Sequence, residues 1–167
     1  MNSFDELYNV VRRLRGPEGC PWDRVQTHES LKPECIEEAA EVICGINILK
    51  ETGSADNLRE ELGDLLLQII FHAQLAEDEG LFSMDDVLDG VRDKMIRRHP
   101  HVFGEDAAAA ADAGLKRPLT PEEVSAGWEA IKALEKDGRE WEKSYLPGAM
   151  NEAQELIGRA RERKGIH

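Results

Sequence analysis

The chain has 167 residues, of which 33% are charged and 41% hydrophobic, and its formal net charge is -13. That length suits one domain with its own core, and the composition excludes both a disordered chain and a membrane protein. The acidity excludes the basic face that a nucleic-acid backbone requires, so no nucleic-acid polymer is expected as a partner. Three cysteines, Cys20, Cys35 and Cys44, form no CxxC pair and no disulfide framework. Met1 to Leu14 is charged and amphipathic, without the apolar core of a signal peptide. A reducing cytosol is the expected compartment.

Phe4, Leu7, Val10, Val11 and Leu14 recur at helical spacing and predict a first helix over about Ser3 to Arg15. Gly16 to Pro21 reads as a loop that continues through Trp22 and Asp23. A second helix is expected to begin between His28 and Pro33 and to reach about Lys50, because Pro33 suits a first turn. Thr52-Gly53-Ser54 ends it. A third helix is expected from near Ala55, capped by Ser54 or Asp56, to about Glu79, where Gly80 stops it. Ser83 and Asp86 predict the start of a fourth helix that ends near Arg98, before His99-Pro100-His101. Glu105 to Leu119 reads as an Ala-rich, mobile connection. Thr120-Pro121-Glu122-Glu123 is a capping box with proline at the first helical position, opening a fifth helix to about Lys136. Pro147-Gly148 is expected to interrupt the next segment, and a last polar helix is expected over Ala149 to Lys164.

These elements predict an all-α bundle of four to six helices without a sheet or internal repeat. The third helix is apolar over a wide arc, from Leu62 through Leu65, Leu66, Leu67, Ile69, Ile70 and Phe71. A small monomer cannot easily cover such an arc, so completion by homo-oligomer packing is expected.

The chemistry is concentrated in two acidic runs, Glu37-Glu38-Ala39-Ala40-Glu41 and Glu60-Glu61-Leu62-Gly63-Asp64. Residues three and four apart share a helix face, so Glu38 pairs with Glu41 and Glu61 with Asp64. A short turn between the helices makes them antiparallel neighbours, and the pairs can converge. Four converging carboxylates repel one another unless a cation neutralises them. An all-oxygen donor set suits magnesium or manganese. The alternative is a solvated helix face. Two details favour the metal: the acids sit among apolar residues such as Ile36, Val42, Ile43, Leu62 and Leu65, and Gly63 interrupts a strong helix where a close approach would explain it. A di-iron centre would require Glu three residues before a histidine, and no histidine here has one.

The pattern Glu-Glu-x-x-Glu, a spacer, then Glu-x-x-Asp resembles the signature of the MazG family of all-α nucleoside triphosphate pyrophosphohydrolases. Gly19 to Asp23 with Gln26-Thr27, Arg59 to Leu66, Arg97 to Phe103, and Trp128 to Lys132 are similar to further MazG motifs. The resemblance covers about residues 4–136. It implies hydrolysis of an NTP at the α-phosphorus to an NMP and pyrophosphate, in a dimer or dimer of dimers. It implies Glu38, Glu41, Glu61 and Asp64 as magnesium ligands and Glu37 as a supporting or water-orienting acid. Lys94 and Arg98 would hold phosphates, Trp128 and Lys132 would lie near the nucleotide, and Trp22 and Asp23 would line the site from their loop. Cys35 and Ala40 replace residues that are larger in many relatives, so the base pocket is expected to differ. Longer relatives carry a second acidic domain, which nothing after Gly138 repeats. One catalytic domain over 1–138 and a helical tail over 139–167 are therefore expected. Two other functions stay open: a narrower pyrophosphohydrolase for a single (d)NTP or phosphoribosyl-ATP, and a non-catalytic nucleotide-binding regulator.

Overall fold

A computed structural model describes residues 2–103, 120–135 and 138–166. Among them every regular element is helical: α1 (Ser3–Arg15), α2 (Pro21–Arg24), α3 (Lys32–Thr52), α4 (Asp56–Asp78), α5 (Met84–Arg98), α6 (Pro100–Phe103), α7 (Pro121–Glu135), a 3₁₀ turn (Glu140–Ser144) and α8 (Leu146–Lys164). The connection expected over 105–119 lies outside the described residues. Two compact units are present, one formed by Met1–Met84 with Gly148–His167 and the other by Asp85–Pro147.

In the first unit, α4 is the central element and packs against α3 and α1. Its buried Ile70, Phe71 and Leu75 meet Val11 of α1 and Leu31, with Phe4, Leu7, Tyr8, Leu66 and Leu67 packed around them. The polar termini of these helices are tied as well. Asn2 caps α1 through the amides of Phe4 and Asp5, in a capping box closed by the Asp5 side chain. Arg15 at the other end of α1 donates to the Asp78 carboxylate at 2.8 Å and to the Asp23 carbonyl at 2.8 Å. One guanidinium thereby joins α1, α2 and α4.

Four details depart from the sequence expectation. Trp22 and Asp23 are not in a loop: Pro21 sits at the start of a single helical turn, where its missing N–H removes nothing. The turn before it depends on Gly19, because a Cβ there would lie 2.0 Å from the Leu14 carbonyl oxygen. Neither Ser54 nor Asp56 caps α4; Ala55 occupies the cap position and supplies no side-chain bond. Pro147 and Gly148 do not interrupt the last helix either. They fall in the first turn of α8, the one place where proline is harmless. The fourth helix ends at Arg98 as expected, but the break after it is His99 alone, and Pro100 and His101 open a short helix, α6.

In the second unit, Arg97 and Arg98 at the end of α5 both grip Glu135 at the end of α7. Arg97 reaches Oε1 at 2.6 Å, and Arg98 reaches Oε2 at 2.5 Å. Thr120 caps α7 as the sequence predicts, accepting from the Glu123 amide at 3.3 Å.

Candidate metal centre

α3 and α4 form a helical hairpin joined by Gly53, Ser54 and Ala55. Gly53 ends α3 in the left-handed region, φ 78°, and its N–H donates to the Leu49 carbonyl at 2.9 Å. An L residue other than glycine is strained there. Beyond the turn the helices touch at backbone level. A Cβ on Gly45 would lie 2.7 Å from the Leu58 Cα and 3.0 Å from the Leu58 nitrogen. Gly45 is one turn beyond Glu41, and Leu58 is about one turn before Glu61. This backbone contact between the helices therefore lies about one turn from Glu41 and Glu61.

At Gly63 the sequence expects another backbone or a ligand to come close. Among the described residues no neighbouring element comes within 4 Å of a Cβ placed there. The close approach belongs to Gly45, a glycine on the other helix.

The hairpin brings Glu38, Glu61 and Asp64 together: one carboxylate oxygen from each lies within 4.8 Å of the others. Burial pushes the Glu38 carboxyl above its ordinary range, and the charges of Asp64, Glu61, Glu34 and Glu37 push it the same way. Asn57, one turn before Glu61 on α4, donates to Glu61 Oε1 at 2.7 Å and fixes that carboxylate. A trio of partly buried, mutually repelling carboxylates with only oxygen donors is the chemistry that a hard divalent cation completes.

Glu37 and Glu41 have other partners. Glu37 is 8% exposed, and both of its oxygens are held from α8. Arg163 donates to Oε2, and Lys164 approaches Oε1 at 2.6 Å. Lys164 also donates to Glu41 Oε1. Burial pushes the Glu37 carboxyl up, but the hydrogen bonds from Lys164 and Arg163 outweigh burial and hold it below the usual carboxylate range.

The other sequence-derived site residues lie on α2, α5 and α7. Trp22 is largely exposed on α2, while Asp23 beside it is buried. Lys94, Arg98, Trp128 and Lys132 belong to the second unit. There Arg98 is engaged by Glu135, and Lys132 pairs with Glu129 at 2.7 Å. The Trp128 indole packs edge-on against His99, with centroids 4.9 Å apart, and its buried Nε1 has no hydrogen-bond partner among the described residues. His99 Nδ1 in turn donates to the Met95 carbonyl at 2.6 Å.

The sequence reading missed Asn57, Arg163 and Lys164. Asn57 could have been found as the i−4 neighbour of Glu61. Arg163 and Lys164 carry no such signal, being more than 120 residues from the acids that they touch.

Comparison with known proteins bears on the same hairpin. Residues 26–103 match the MazG nucleotide pyrophosphohydrolase domain. The chain is 43% identical over 158 residues to the nucleoside triphosphate pyrophosphohydrolase/pyrophosphatase MazG of Thermotoga maritima, covering 95% of this chain and 54% of that protein. It is 42% identical over 137 residues to the nucleoside triphosphate pyrophosphohydrolase of Escherichia coli K12, covering 81% of this chain and 47% of that one. It is 45% identical over 139 residues to the uncharacterized protein YabN of Bacillus subtilis, covering 83% of this chain and 26% of that protein. The chain thus spans about half of the first two relatives and about a quarter of the third. Through residues 26–103 the chain belongs to the MazG nucleotide pyrophosphohydrolase family.

Proposed function

We propose that the chain hydrolyses nucleoside triphosphates at the α-phosphorus, giving a nucleoside monophosphate and pyrophosphate, with magnesium held by the α3–α4 hairpin. The observation that carries this reading is the meeting of Glu38, Glu61 and Asp64 within 4.8 Å, inside the segment that matches the MazG domain. Glu41, one turn along α3 from Glu38, is the fourth ligand of the proposal. Manganese, equally an oxygen-seeking ion, is the natural substitute.

When bound, the cation supplies charge neutralisation on non-bridging phosphate oxygens and a more acidic water. The protein's own residues do the rest. The carboxylates of Glu38, Glu61 and Asp64 fix the cation's place, and Asn57 holds Glu61 in one orientation. Glu37, beside Glu38 on α3, orients a water or accepts its proton. Lys94 and Arg98 hold the phosphates, as the sequence resemblance implies, and stabilise the departing pyrophosphate. Trp128 and Lys132 serve the nucleotide, and Trp22 and Asp23 line the site. No side-chain nucleophile is needed.

All five acids fall in the proposed catalytic segment 1–138, and the helix that contacts two of them falls in the segment 139–167. The protein is proposed to be a homodimer or homotetramer. Ile43, Ile46 and Leu49 of α3 and Leu62 and Ile69 of α4 are exposed. A second copy packed on these helices would bury them. The free cysteines support a cytoplasmic location. No helix among the described residues is long and apolar enough to cross a membrane.

The test is pyrophosphate release from each NTP and dNTP with Mg2+, for the wild type, Glu38→Gln and Asp64→Asn. Both substitutions are expected to lower turnover at least about a hundredfold while the helical circular dichroism is kept. Nucleotide binding without pyrophosphate release from any substrate would instead favour the regulator. Release from one nucleotide alone would identify a narrower enzyme.

A further inference from the structure

α8 is held in an unusual way. None of its described residues is buried, and the helix pairs in close contact are α3 with α4, α1 with α2 and α1 with α4. The side-chain bonds that join α8 to α3 are charged. Glu152 meets Lys32 at 3.1 Å near the start of α3. Further along both helices, Arg163 and Lys164 meet Glu37 and Glu41. Ala153, Leu156 and Ala160 are only partly covered, and a helix held by charged side-chain tips with no fully buried residue separates from its neighbour more readily than a core helix does.

Its point of attachment is the acidic centre. Lys164 places one ammonium between Glu37 and Glu41, and Arg163 takes the remaining oxygen of Glu37. A cation that claims the Glu41 carboxylate therefore competes with Lys164 for the same oxygen.

We propose that Arg163 and Lys164 are an internal counter-cation for the metal centre: they occupy Glu37 and Glu41 in the metal-free protein and withdraw when a divalent cation binds. The proposal rests on the reading of Glu38, Glu41, Glu61 and Asp64 as metal ligands. It adds a consequence, because the latch lowers the apparent metal affinity by the fraction of time it is closed. It also links occupancy of the site to the position of α8.

The experiment is isothermal titration of the full chain with MnCl2 and with MgCl2. The wild type is compared with Arg163→Gln/Lys164→Gln, with Asp64→Asn, and with Arg12→Gln/Arg13→Gln, which removes the same charge from an exposed part of α1. The three ion pairs that Arg163 and Lys164 make with Glu37 and Glu41 correspond to roughly tenfold in Kd. The Arg163/Lys164 variant should bind the ion about that much tighter, and the α1 variant should match the wild type within about twofold. Deuterium uptake by residues 158–166 of the wild type should rise when Mn2+ is added. Equal affinities for the wild type and the Arg163/Lys164 variant, or the same gain in the α1 variant, would overturn the latch and leave the metal centre standing. If the wild type and the Arg163/Lys164 variant both bind no ion, the metal centre itself falls and the latch with it.

Discussion

Replacing Gly45 with alanine tests whether the α3–α4 contact positions the acids. The new Cβ would meet the Leu58 Cα at 2.7 Å, the Leu58 nitrogen at 3.0 Å and the Leu58 Cβ at 3.2 Å. Two of these are backbone atoms that no rotamer change can move. Carbon atoms rest at about 3.5 to 4.0 Å, so the helices must separate by roughly 1 Å. Overpacking of this kind costs about 1–3 kcal/mol, and alanine returns up to about 1 kcal/mol through its helix preference. The expected net loss is about 1–2 kcal/mol, read from urea unfolding followed by circular dichroism. The displacement acts next to Glu41 and Glu61, so kcat/KM should fall by about tenfold to a hundredfold even under conditions where the variant is fully folded. Gly63→Ala is the matched comparison. Its Cβ meets nothing within 4 Å, so in the isolated chain it should stabilise by up to about 1 kcal/mol. If Gly45→Ala is as stable and as active as the wild type, the hairpin is not held by this contact and the reasoning fails.

Two further predictions concern pH. His72 stacks on His28 with planes 7° apart, and their Nδ1 atoms are 2.8 Å apart, so one ring must donate and the other accept. Burial first, and then the His28 charge, lower the His72 pKa; the unfolded chain therefore takes up a proton near pH 6.5 that the folded chain resists. Stability should decline as pH falls below about 6.5, by at most one proton's worth of slope, and His72→Phe should flatten that decline in denaturant midpoints measured from pH 8 to pH 5. Glu135, by contrast, is held at about 2, chiefly by its hydrogen bond from Arg98 and then by Arg97. A depressed carboxylate contributes above its unfolded pKa, so the Tm difference between the wild type and Glu135→Gln should be constant from pH 7 to about 5. It should then shrink as pH falls from about 4.5 toward 2. A difference that grows on acidification would contradict this assignment.

The helices were legible because their cores announce themselves locally. Leu66, Ile70 and Phe71 repeat at helical spacing and form or flank the core, and Thr120 with Glu123 forms the capping box that the sequence predicts. Proline was harder to read. Pro147 looked like a breaker, yet a proline within the first helical turn loses no hydrogen bond, and sequence alone does not say where that turn begins. The acids were legible as a pattern, and the convergence of Glu38, Glu61 and Asp64 follows from helical periodicity and one short turn. The fate of Glu41 was not. Its partner, Lys164, lies 123 residues away, and such a distant charge pair leaves no trace in local spacing. Gly63 shows the same limit from another side: a mid-helix glycine signals room for something, but only the structure shows that Gly45 is the one in contact.

Glu38, Glu61 and Asp64 come from one hairpin, with Gly53 at its turn. The loop that must close to assemble the trio is therefore short, and local closures of this kind are among the fastest events in folding. A nascent chain could capture its ion as soon as residue 64 has joined residue 38, before α8 has been synthesised. The order of the sequence thus places these three acids ahead of Arg163 and Lys164, which hold the neighbouring Glu37 and Glu41.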